Sequence, residues 1–172
     1  PYSRMKDEAK TQLKKIIGDY DDKLAEVERL DKVKRAAHAA FPARFVTLKT
    51  EIIQPAIQEI AEMLNERGHV ASVREQEDSS TAEGGVKSAA ISLRVVPKPF
   101  VLKATEVNAI AIEITFSANR AERKVAVSST NTMINHGGTV GKRGEYEVDA
   151  VTGDVVTTHV IQTLSEAFGG PK

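Results

Sequence analysis

At Gly68 the spacing of apolar residues in this chain changes, and the change limits what it can fold into. Before that point apolar side chains recur every three or four positions, the period of a helix. After it they recur every second position, the period of a strand with one face buried. Helices followed by a run of strands predict an α+β domain, because alternating helices and strands would be needed for a parallel sheet.

The first forty residues are dense in charge. Met5, Ala9, Leu13, Ile16, Tyr20, Leu24, Val27, Leu30 and Val33 form a narrow apolar stripe, nearer to a coiled-coil seam than to a core-facing helix. Gly18 weakens this helix by about 1 kcal/mol relative to alanine. Such a seam needs cover, either from the next helix of the chain or from a second copy. "AAFPARF" is expected to end the helix, since Pro42 removes a backbone donor. A second helix then carries Phe45, Leu48, Ile52, Ile53, Ile57, Ile60 and Leu64, with Pro55 predicting a kink near Glu51. Gly68 suits the left-handed position that stops it.

The strand-like segments are "HVASVREQ", "KSAAISLRVV", "NAIAIEITF", "RKVAVSST" and "EYEVD". Ala89, Ile91, Leu93 and Val95 share one face, as do Ile110, Ile112, Ile114 and Phe116. Short links such as "SANRAE" predict an antiparallel meander. A last helix is expected from Asp154, read as its N-cap, through Val156, Val160, Ile161, Leu164 and Phe168. The expected architecture is two N-terminal helices, the first long and coiled-coil-like, about five antiparallel strands and a C-terminal helix, with helices on one sheet face. Residues 1–40 read as a pairing or docking helix and 41–172 as a compact α+β domain. On the opposite face Ser88, Ala90, Ser92, Ala109, Ala111, Ala126 and Ser128 are small, which leaves that face flat: a docking surface, or a plain solvent face.

Lysine and arginine balance aspartate and glutamate, so net charge gives no general case for nucleic acid. There is no cysteine, which excludes disulfides, thiolate zinc sites and cysteine nucleophiles. No apolar run approaches the roughly 20 residues that cross a bilayer. A cytoplasmic protein without a membrane partner is expected.

"NTMINHGGTVGKRGEY" is the segment most suggestive of chemistry. Gly141 and Lys142 match the end of a phosphate-binding loop, but His136 stands where its first glycine belongs and Arg143 replaces its serine or threonine. It reads instead as a loop between the fourth and fifth strands. In a meander this loop shares a sheet end with Arg67 and His69 and with the link after the second strand. Lys98, Lys103, His136, Lys142 and Arg143 thus form a candidate anion contact, against the plainer reading of solvated loop cations. The four histidines have no metal-ligand spacing. Glu75, Glu77 and Asp78 are better read as solvated acids at a strand end than as a cation site. Ser128–Thr130 lacks a nucleophile elbow.

No catalytic, metal or cofactor motif is found. The expected function is a non-catalytic interaction or assembly module, its partner another protein or a second copy in a homo-oligomer. Its candidate seam is Leu13, Ile16, Tyr20, Leu24 and Val27. The alternative is a nucleic-acid or anion-binding protein using the basic sheet end.

Overall fold

The computed structural model describes residues 5–80, 84–103, 110–132 and 140–169. The chain divides into two compact units, Pro1–Ala40 and Phe41–Lys172. The first is helical from Asp7 onward, within α1 (Asp7–Leu48).

In the second unit, α1 ends at Leu48. A π-helical turn (Lys49–Ile53) and α2 (Gln54–Glu66) follow. The helix therefore runs through Pro42 rather than breaking there, a correction to the sequence expectation. Pro42 forfeits one backbone bond at a cost of about 3 kcal/mol. Full burial of Phe45 and near-full burial of Phe41 and Leu48 on the last turns offset that loss. The irregularity falls where Pro55 removes a donor: the Gln54 N–H reaches back five residues to the Lys49 carbonyl, and Glu51 lies in the wide turn. Pro55 itself stands in the first turn of α2, the helix position that tolerates proline best. Gly68 takes φ +90° just beyond α2, as the stop signal requires. Asn65 then clamps helix to sheet, its amide donating to the Ala71 carbonyl (3.0 Å) and its oxygen accepting from the Ala71 N–H (2.8 Å).

Among the described residues the main sheet has five antiparallel strands in the order β1 (Val70–Gln76), β4 (Ala90–Val96), β5 (Ile112–Asn119), β6 (Lys124–Asn131) and β7 (Val140–Tyr146). β2 (Ser79–Ser80) and β3 (Val86–Lys87) pair as a small hairpin in the β1–β4 connection. Ala89, Ile91, Leu93, Val95, Ile112, Ile114, Phe116, Val125 and Val127 are buried as alternation predicts. They join Phe41, Phe45, Ile53, Ile57 and Ala61, together with Val156, Val160 and Ala167 of α3 (Gly153–Gly169), in one core. The molecule is thus α+β, with helices on the apolar face of an antiparallel sheet.

Two further details differ from the sequence reading. The fifth strand was expected at "EYEVD", but β7 begins at Val140 and ends at Tyr146, and Val148 opens a 3-10 turn (Val148–Ala150). A bulge explains why: Val127 lies opposite Gly144 and Ser128 opposite Lys142, leaving Arg143 as an extra residue that destroys the alternation. The N-cap of α3 is Thr152, whose hydroxyl accepts from the Val155 N–H (3.2 Å), whereas Asp154 lies inside the first turn.

Candidate functional sites

In the N-terminal unit the helix α1 presents its stripe to solvent. Ile16 is 65% exposed, Tyr20 63% and Val27 62%, and Leu13 and Leu24 are exposed as well. Its charges are arranged within turns: Arg29 bonds Glu26 (2.6 Å), holding the Glu26 carboxyl below its ordinary range, and Arg35 pairs with Asp31 (2.5 Å). A helix with an apolar stripe and no cover is marginal alone in water, so the stripe marks where cover belongs.

The basic residues of the second unit separate into two groups on the two edge strands. Around β1, the Lys98 ammonium donates to the Arg67 carbonyl (2.8 Å), and the Lys98 N–H donates to Nδ1 of His69 (3.2 Å). The His69 ring stacks on Phe168 at 5.3 Å. Burial, and then the Lys98 charge, push its pKa down, in keeping with an imidazole that accepts a hydrogen bond. On β7 the Lys142 ammonium pairs with Glu145 (2.5 Å), and the bulge turns Arg143 toward the helices. There Arg143 donates to the Ser129 hydroxyl (2.5 Å) and forms a two-pronged pair with Glu166 of α3. β1 and β7 lie four strand spacings apart, about 19 Å at the usual separation. The structure therefore brings Lys98 to Arg67 and His69 but sets Lys142 and Arg143 at the other edge. The Lys103 side chain and His136 lie outside the described residues.

Behind Arg143 is a second polar pair that the sequence did not signal. His159 reads as a flank residue of the last helix, yet it is 8% exposed. The Tyr146 hydroxyl lies 2.5 Å from its Nε2, and the rings meet edge-on at 5.5 Å. Gly144 makes this contact feasible, because a Cβ there would come within 3.0 Å of the Tyr146 ring. This glycine serves close approach rather than turning freedom. Nδ1 of His159 has no partner, and burial followed by the Arg143 charge pushes its pKa down. A neutral, buried imidazole follows.

Lys49 is the other residue that sequence reasoning missed. It sits in the π turn, 5% exposed, with its ammonium 4.0 Å from Glu75. Its spacing was a usable signal, since Phe45, Lys49 and Ile53 fall four apart on the buried stripe. Lys49, Glu77 and Asp78 border a cavity of about 340 Å³. Asp78 is committed to the Ala89 N–H (2.7 Å) and lies 3.7 Å from Arg120. Among the described residues no group of three or more histidine or carboxylate side chains is placed to hold a metal ion. A larger groove of about 420 Å³ lies between α1 and the β7–α3 connection, where Arg44 pairs with Asp149. No described helix is long and apolar enough to cross a membrane.

Compared with protein-family models, curated proteins and solved structures, the chain finds no match.

Proposed function

We propose that this chain is a non-catalytic assembly module that pairs through its N-terminal helix with a second copy of itself. The observation that carries the reading is the exposure of Leu13, Ile16, Tyr20, Leu24 and Val27 along one stripe of α1. Covering five such side chains gains roughly 25 cal/mol for every Å² of apolar surface removed from water. The second unit supports the reading by contrast, for Phe45, Ile53, Ile57, Ile91, Phe116, Val125 and Val127 are buried within one core. The anion-binding alternative gains little from the geometry, because Lys142 and Arg143 already hold carboxylates.

Sedimentation equilibrium of the full chain tests the proposal. The expected result is a dimer that Leu24→Glu with Val27→Glu converts to a monomer, while the circular dichroism of the sheet is kept. A wild-type chain that stays monomeric at every concentration would refute it.

A further inference from the structure

The orientation of the pair can be read from the same helix, on the premise of the pairing proposed above. The seam is symmetric about one residue: Ile16 and Leu24 each lie four positions from Tyr20, and Leu13 and Val27 each lie seven. At about 100° per residue these five stay within about 40° of the Tyr20 direction. Two copies related by a two-fold axis at Tyr20 and running antiparallel would therefore mate the seam with itself. Leu13 lies opposite Val27 of the second copy, Ile16 opposite Leu24 of the second copy, and Tyr20 opposite its counterpart.

The flanking charges distinguish this arrangement from its parallel rival. With the axis at Tyr20, Lys10 comes beside Glu28 of the second copy and Asp19 beside Lys23 of the second copy, each pair on one flank of the seam. Symmetry makes each of these two attractions twofold. Like charges meet where Lys6 faces Lys34 and nears Arg35 of the second copy, at the end of the overlap, and where Asp21 nears its counterpart. In a parallel, in-register pair only Lys23 with Glu28 of the second copy is attractive at the usual flank spacing. That pair would also stack Asp31 on Asp31 and Lys34 on Lys34, because both residues continue the stripe beyond Val27. The antiparallel pair instead sets Asp31 against Ala9 of the second copy, near the end of the overlap. Exposed ion pairs contribute little singly, but their sign sets register and orientation.

We infer that α1 pairs antiparallel with α1 of a second copy about a two-fold axis at Tyr20. Because the chain has no cysteine, single-cysteine variants read the orientation directly. Leu13→Cys and Val27→Cys are oxidised separately and as a mixture. The expected result is a disulfide-linked dimer from the mixture and none from either variant alone, since like positions would stand about 21 Å apart along the helix, beyond a disulfide's reach of about 7 Å. Disulfide dimers from each variant alone would overturn the antiparallel inference and leave pairing intact. A dimeric mass with no cross-link in any sample would overturn it as well. A monomeric mass for the wild-type chain would overturn both. A second test avoids the seam: Lys10→Glu with Asp19→Lys should weaken association about tenfold or more, and adding Lys23→Glu with Glu28→Lys should restore it. Failure of that restoration would refute the assigned register.

Discussion

The helix of residues 7–40 and the domain that begins at Phe41 draw on the same kinds of apolar residue and use them oppositely. In the helix, Leu, Ile, Val and Tyr form one exposed stripe among charges. In the domain, the apolar faces of the sheet and helices close on one another, and Phe45, Ile57, Ile91 and Phe116 reach full or nearly full burial. The difference teaches that apolar content alone does not make a core. A single narrow stripe has no second face to close against, whereas a sheet with one apolar face and two helices does.

The largest expected effect tests that contrast. Phe116→Ala should cost the domain about 3–5 kcal/mol, since a fully buried ring is lost and a cavity is left. Leu24→Ala, at dilutions where pairing is lost, should change the unfolding free energy of the same domain, read from urea denaturation, by less than about 0.5 kcal/mol. Equal losses from the two substitutions would break the comparison.

A smaller effect sharpens it within the domain, where polar groups are buried alongside apolar ones. His69 and His159 both have pKa values pushed below that of an ordinary histidine, His159 by burial and then by the Arg143 charge. For a base with a lowered folded-state pKa, stability is complete above the unfolded value. It is lost as pH falls, because the unfolded chain takes up the proton first. Domain stability should therefore be flat above a pH of about 6.5 and decline below it, by at most about 1.4 kcal/mol per pH unit for each proton. Tyr146 touches His159, and Arg143, itself paired with Glu166, is the charge that acts on it. His159→Leu should make the decline shallower. An acid limb unchanged in His159→Leu would show that this imidazole does not contribute to it.

How far the sequence foretold these two regions follows from periodicity. The sheet core was legible because Ile91, Leu93, Val95, Ile112, Ile114 and Phe116 alternate without interruption. The helix stop was legible because Gly68 occupies a conformation that penalises other residues. What escaped depended on contacts distant in sequence. Nothing near Pro42 reveals that Phe41 and Phe45 will be buried deeply enough to carry the helix through it. The strand at Val140–Tyr146 was hidden by one bulge, which inserts Arg143 and shifts the alternation. The burial of His159 depends on a hydroxyl thirteen residues away on another element. For the candidate seam, local spacing identified the stripe, and its exposure in the structure then separated it from the core helices.

The smallest effect concerns the start of α3, where the choice of cap separates local sequence preference from folded geometry. Asp154 and Thr152 are both good capping residues by type. In the folded chain the Thr152 hydroxyl meets the Val155 N–H, and the Val156 N–H meets the Thr152 carbonyl. Asp154, one residue into the helix, acts only through its charge near the positive end of the helix dipole. Thr152→Ala should therefore destabilise the domain by about 1 kcal/mol. Asp154→Asn should cost only about 0.3–0.5 kcal/mol, a loss that shrinks as salt is added. Urea denaturation of the two variants at low and high salt checks both the order and the salt response. If Asp154→Asn were the costlier change at both salts, capping by Thr152 would be refuted, and the turn before α3 would have to begin two residues later.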